Sequence, residues 1–135
     1  MSPEVTKRKL VFLTQYLKDL SKYKKISDVE FEKNHYEIER LLQLIIEVAC
    51  DINSHLITRR LQRPPEDYYE SFIELGNLNI IPKTLALKLA PSAGLRNALV
   101  HAYDKIDEKR VKQGIQLALR YFPKYVKALG KIYAI

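Results

Sequence analysis

The sequence predicts an all-α fold, a four- to five-helix up-and-down bundle, on three observations. Apolar residues recur at steps of three and four in nearly every segment, the spacing of one helix face. Only four glycines occur, and alternating β-branched runs are few, which argues against a sheet. Five of the six prolines, Pro3, Pro64, Pro65, Pro82 and Pro91, fall where helices are expected to start or break. With 135 residues, 47% of them apolar and 29% charged, the chain suits one domain, residues 1–135, around one core.

The first helix is expected over about residues 3–24, with Leu10, Leu13, Leu17 and Leu20 inward and Pro3 in its first turn. Ser27 followed by Glu30 reads as a capping box that opens a second helix. Its stripe runs through Ile38, Leu41, Leu42, Ile45, Val48, Ala49, Ile52 and Leu56 toward Arg60. At about 1.5 Å per residue it reaches roughly 50 Å, so it bends or forms the spine of the bundle. Arg63-Pro64-Pro65 breaks the pattern, and Glu66 and Asp67 supply acids to a short third helix with Tyr69, Phe72, Ile73 and Leu75. Gly76 or Asn77 ends it. Pro82 opens a fourth helix that Pro91 and Gly94 interrupt before Leu95, Leu99 and Val100 resume the stripe. Asp107 caps the last helix, which carries Val111, Ile115, Ala118, Leu119, Phe122, Val126 and Leu129, with Pro123 expected to bend it.

No stretch reads as a membrane span, and the N-terminus lacks the apolar run of a signal peptide, so a cytoplasmic protein without membrane attachment is expected. The single cysteine, Cys50, excludes an internal disulfide and, among Ile45, Ile46, Val48 and Ala49, reads as a buried thiol. Tyr16, Tyr69 and Tyr121 sit at helical spacing among apolar neighbours and read as core or interface. A net charge of +7 favours approach to polyanions, whether nucleic acid or an acidic protein.

One stretch carries chemistry: Gly94-Leu95-Arg96-Asn97-Ala98-Leu99-Val100-His101-Ala102-Tyr103, followed by Asp104-Lys105-Ile106-Asp107. An arginine five residues before a histidine says little alone, but this string resembles the signature of HEPN-domain proteins and, within them, the HepT-like toxins. Their pattern is Arg, a polar residue, three further positions, His, any residue, Tyr. Glu39 to Gln43, Val48 to Ile57 and Pro65 to Phe72 also resemble that family's second and third helices, so the likeness covers about residues 28–115. Pro91-Ser92 ahead of the motif departs from the pattern. The resemblance implies a helical homodimer whose two motifs face a shared cleft, RNA cleavage without metal or cofactor, and neutralisation by a nucleotidyltransferase antitoxin. It further implies that the antitoxin adenylylates Tyr103.

Cleavage of RNA without a metal requires taking a proton from the 2′-hydroxyl, stabilising an anionic phosphorane and protonating the leaving 5′-oxygen. Histidine, with an ordinary pKa of about 6.5, serves as base or acid near neutrality, which suits His101. Arginine stays protonated and presents a planar fork of donors, so Arg96 is the natural clamp for the developing charge. Asn97 is placed to orient the histidine or bind phosphate. At about 100° per residue, Asn97 and His101 lie about 40° apart on the helix, whereas Arg96 and His101 are separated by about 140°. Either the Arg96 side chain sweeps round, or the helix ends near His101, or a second motif completes the site. A two-fold dimer that brings two motifs together is the preferred solution.

Glu47, Asp51 and His55 recur every four residues on the second helix, a spacing that suits either one face turned toward the site or a metal site. That step differs from the Glu-x-x-His of di-iron bundles and no second copy exists, so no metal is expected. Asp51 and His55 are candidates for a supporting role in the cleft. Arg59, Arg60 and Arg63 form a basic cluster that either grips RNA phosphate or complements the helix carboxyl end. Two other functions remain open on sequence grounds: a non-catalytic helical module that binds nucleotide or the partner nucleotidyltransferase, and a protein that is chiefly a substrate for modification at Tyr103. The plain structural alternative gives Arg96 a surface ion pair, ties Asn97 and His101 to nearby backbone, and makes Tyr103 a plug at the bundle end.

Overall fold

The computed structural model describes residues 2–101 and 106–133. These residues form six α-helices: α1 (Pro3–Ser21), α2 (Asp28–Leu61), α3 (Tyr68–Asn77), α4 (Lys83–Leu89), α5 (Ser92–His101) and α6 (Glu108–Tyr133). The interrupted fourth helix expected from the sequence accounts for both α4 and α5. Pro91 has no N–H with which to continue the α4 ladder, and the chain turns through Ala90-Pro91 before α5 begins. The first helix is shorter than expected, ending at Ser21 rather than near residue 24, and Lys22–Lys25 form turns.

Local chemistry sets the helix ends. Ser2, not singled out from the sequence, accepts the Val5 N–H at 3.2 Å just ahead of Pro3. Ser27 accepts the Glu30 N–H at 3.2 Å and donates its hydroxyl to the Glu30 carboxylate at 3.1 Å, a variant of the box in which the two side chains meet directly. α2 stops where Gln62 takes the left-handed conformation, φ 59°, with its N–H on the Thr58 carbonyl. Asp67 caps α3 through the Glu70 N–H at 2.8 Å, and Asp107 accepts the Lys109 N–H at 3.1 Å at the head of α6. α6 then runs unbroken through Pro123.

The long α2 is the spine. Its Ile38, Leu42, Ile45, Ala49 and Ile52 are all fully buried, and α1, α3, α5 and α6 each pack against it. By length and composition a stretch of α2 resembles a membrane span, contrary to the sequence expectation, yet half of that stretch is buried inside the bundle. Its apolar residues serve the core. α1 also packs on α6, while α3 and α4 pack on each other and α4 rests on α6. The α3–α4 crossing is tight: a Cβ on Gly76 would stand 2.8 Å from the Ala86 Cβ. α5 lies against α2, α3 and α6, where Leu95 fills the space left by Gly114, whose own Cβ would come within 2.5 Å of the leucine Cδ2.

One polar network crosses this core. Tyr125 of α6, fully buried, donates its hydroxyl to Asn53 Oδ1 at 2.6 Å and reaches the Ala49 carbonyl at 3.0 Å. Asn53 donates to Ser71 Oγ at 3.1 Å, and Ser71 in turn donates to the Tyr68 carbonyl at 2.7 Å. Every polar side chain in this network is satisfied, so burial is tolerated and three helices are tied in register. Phe72, Phe122 and Tyr125 surround it edge to face, with centroids about 6 Å apart.

Candidate active site

Packing of α5 against α2 and α3 decides where the motif points. Leu95, buried against α6, fixes the helix rotation, and Arg96 beside it turns toward α2. Its Nη2 and Nε donate to one Glu47 oxygen at 2.9 and 3.2 Å, with only 20% and 28% of the two side chains exposed. The guanidinium also lies over the Tyr68 ring, 5.0 Å from its centroid. An acid on one side and an aromatic face on the other hold the fork still. Nη1 remains turned toward Asn97, whose Oδ1 is 3.4 Å away. These groups border an open cleft of about 440 Å³ lined by Asp67, Tyr68, Tyr69, Ala93, Gly94, Arg96 and Asn97.

Burial pushes the Tyr68 hydroxyl pKa above its usual value, against the opposing pull of the Arg96 charge. Cys50, on the core side of the same region, is buried and its thiol is pushed up to about 12, chiefly by desolvation. It is an inert thiol at neutral pH, as expected from its neighbours.

His101 is the last residue of α5 and is exposed. The residues that follow His101 lie outside the described ones, while Arg96 is committed inward to α2 and α3. Asn97 is exposed at the cleft. Tyr103 lies outside the described residues. Asp51 is exposed and pairs with Lys9 of α1 at 3.4 Å, while its charge also acts on Tyr68. His55 is half-buried, and desolvation lowers its pKa below the usual 6.5, with Arg59 adding to the effect. The evenly spaced Glu47, Asp51 and His55 are thus divided: one holds Arg96, one holds Lys9, and one is partly desolvated. Among the described residues no three histidine, cysteine, aspartate or glutamate side chains gather in a way that would hold a metal ion.

Arg59 and Arg60 are exposed at the end of α2. Arg63 donates to Glu74 at 2.7 Å, which ties the loop after α2 to α3 and occupies part of its fork. Tyr69, expected in core or interface, is 46% exposed on the cleft rim, and Tyr68 is the member of the pair that turns in. Tyr68 is the site residue that sequence reasoning missed, and Glu47 was read only as part of a polar stripe facing the site, with no partner assigned. Glu47 had a signal, its place in the step-of-four polar stripe; Tyr68 had none beyond its neighbour.

The model of the family described as ribonuclease HepT-like matches residues 13–129. Among curated proteins, the chain is 38% identical over 133 residues to the tRNA nuclease HepT of Aphanizomenon flos-aquae, covering 96% of this chain and 90% of that one. It is 28% identical over 88 residues to the mRNA nuclease HepT of Shewanella oneidensis, covering 65% and 66%. Among solved structures, the fold is similar to a tri-AMPylated Shewanella oneidensis HEPN toxin in complex with MNT antitoxin, with a TM-score of 0.82 at 22% identity, covering 97% of this chain and 99% of that one. It is also similar to the Bacillus subtilis cytosolic protein YutE, with a TM-score of 0.78 at 21% identity, covering 98% and 92%.

Proposed function

Because the chain belongs to the ribonuclease HepT-like family, we propose that it is a metal-independent RNA endonuclease of the cytoplasm, the toxin of a toxin–antitoxin pair. The observation that carries this reading is the half-buried Arg96, held by Glu47 and Tyr68 at the edge of an open cleft with His101 exposed farther along the same helix. An arginine so anchored is already oriented before RNA arrives, which is what stabilising a phosphorane requires.

In the proposed reaction the 2′-oxygen bonds to phosphorus as its proton passes to one His101. The bond from phosphorus to the 5′-oxygen then breaks, and that oxygen takes a proton from a second His101. The products are a 2′,3′-cyclic phosphate and a 5′-hydroxyl, so neither water nor an oxidant is consumed. Arg96 faces the equatorial oxygens throughout, and Asn97 steadies the phosphate. Two histidines at one phosphate call for two subunits, so a homodimer with a shared cleft supplies acid and base together. Asp51, His55 and the Arg59, Arg60 and Arg63 cluster are assigned to supporting and RNA-holding roles.

A nucleotidyltransferase antitoxin is the proposed partner, and the solved relative that is tri-AMPylated and bound to its antitoxin supports adenylylation of Tyr103 as the means of silencing. The purified protein should cut RNA in excess chelator and leave cyclic phosphate ends, while His101→Ala abolishes cutting and preserves the dimer. Chelator-sensitive cutting, or full activity in that variant, would overturn the reading. Intact RNA together with Arg96-dependent antitoxin binding would make the motif a docking surface instead. Coexpression with the antitoxin should add the mass of AMP on a peptide containing Tyr103.

A further inference from the structure

The end of α6 presents a face of one sign. Arg120, Lys124, Lys127 and Lys131 recur at steps of four, three and four, so they form one stripe about 16 Å long. Lys88 of α4 lies opposite, across a groove of about 440 Å³ that Lys124, Lys127 and Lys131 also line. All five cations are exposed. No acid occurs anywhere from Lys109 to Ile135, or from Leu75 to Tyr103. Among the described residues, Lys9, Lys22, Arg63, Arg96 and Lys112 each have a carboxylate partner, and none of these five does. Arg120 and Lys124 instead lie near the Tyr121 ring, at 5.4 and 5.7 Å from its centroid.

Gathering five like charges without a counter-charge opposes folding through mutual repulsion. A polyanion relieves that repulsion by exchanging condensed counterions for lysines. Lysines on flexible stems beside an aromatic ring make the pattern that tracks a nucleic-acid backbone while a base rests on the ring. An acidic peptide would use the charges but not the ring. The groove shares no residue with the Arg96 cleft.

We propose that the groove between α4 and α6 is a second RNA site, which holds the sugar-phosphate backbone of the substrate away from the scissile bond. The proposal rests on the ribonuclease reading for its purpose, but its test reads binding alone. Labelled unfractionated tRNA is titrated against His101→Ala protein with and without Lys88→Gln, Lys124→Gln, Lys127→Gln and Lys131→Gln. Binding at 0.15 M salt should weaken at least tenfold, and the slope of log affinity against log salt should become shallower by up to about 3, near 0.7 for each phosphate that a lysine no longer neutralises. A charge-matched control, Lys7→Gln, Lys24→Gln, Lys25→Gln and Lys33→Gln, should weaken binding no more than about threefold, the share of long-range attraction. Thermal melts confirm that both variants fold, and the pair Lys124→Gln and Lys127→Gln alone provides a milder version with the same direction. Equal losses in groove and control variants, or unchanged RNA binding with lost antitoxin binding, would overturn the proposal. A wild-type protein that binds tRNA through the groove yet cuts neither tRNA nor mRNA would defeat the ribonuclease reading and leave this site standing.

Discussion

Removing the Glu47 carboxylate tests whether Arg96 is held for catalysis or merely paired. Two guanidinium nitrogens converge on one Glu47 oxygen at 2.9 and 3.2 Å, with about three quarters of each side chain shielded from water. A charge-assisted contact of this exposure contributes about 1 kcal/mol after solvent screening. At this chain length that lowers the melting temperature by roughly 3–5 °C in Glu47→Ala. The kinetic effect should exceed the loss of stability. Without its anchor the arginine fork drifts on the scale of 1 Å, and a displacement of that size costs up to about 100-fold in rate. Cleavage of a defined RNA under single-turnover conditions should therefore slow by about 10- to 100-fold, with KM changed far less because the charge that attracts RNA remains. Glu47→Gln keeps an acceptor for one donor and should recover part of the rate. A Glu47→Ala protein that cuts at the wild-type rate, or that loses KM and rate in equal measure, would refute the positioning role.

Three further outcomes follow from the packing and the titrating groups. Tyr125→Phe strands the Asn53 carbonyl oxygen and removes the hydrogen bond to Ala49, so unfolding by heat or urea should show a loss of about 1–3 kcal/mol while the cleavage rate of folded protein is unchanged. Gly114→Ala drives a methyl group into Leu95, one residue before Arg96. It should cost about 1 kcal/mol in a melt and slow cleavage, and the added substitution Leu95→Ala should recover rate more than stability. His55 is desolvated in the native state, so its folded pKa lies below the unfolded value of 6.5. In the window beneath that value the unfolded chain binds the extra proton; stability contributed by the neutral ring is whole above about pH 6.5 and is lost as pH falls toward the folded pKa. A urea titration series should lose part of this slope in His55→Gln, and an unchanged slope would show that other groups produce it.

Local signals were readable and long-range ones were not. Ser27 with Glu30, Asp107, and Pro91 each act within a turn of their own position, so the sequence alone places the starts of α2 and α6 and the break between α4 and α5. Glu47 and Arg96 are 49 positions apart, and their meeting depends on how α5 rotates on α2, which Leu95 and Gly114 decide together. A stripe read from one helix cannot say which neighbour each acid will find, and Glu47 and Asp51 found different ones. Tyr125 escaped notice for a related reason. The apolar pattern assigned the inward position to Val126, whereas the fully buried set is Phe122, Tyr125 and Leu129, and the tyrosine is tolerated there only because Asn53 and Ala49 accept its hydroxyl. The same one-residue ambiguity separates inward Tyr68 from exposed Tyr69.

The rotation of α5 also bears on how many subunits make a site. Arg96 is turned inward and fastened to α2 and α3, whereas His101 sits exposed five residues on, about 140° around the helix axis. Swinging Arg96 round to meet its own His101 would break two charge-assisted hydrogen bonds and leave the ring of Tyr68, so the less costly solution is a histidine delivered by a second copy. Mixed dimers distinguish the two cases. Arg96→Ala and His101→Ala proteins, each inactive alone, are unfolded together and refolded at equal concentrations, which makes about half of the dimers mixed by random pairing. A shared cleft then contains one intact arginine and one intact histidine from opposite subunits, half of the proposed acid–base pair, so cleavage should rise above that of either parent while staying well below wild type. A self-contained site in each subunit predicts no gain, because every subunit in the mixture still lacks one of its two groups. Mass spectrometry of the intact dimers confirms that exchange has occurred, so a flat result with mixed dimers present would rule out a shared site in which one arginine and one histidine suffice for cutting.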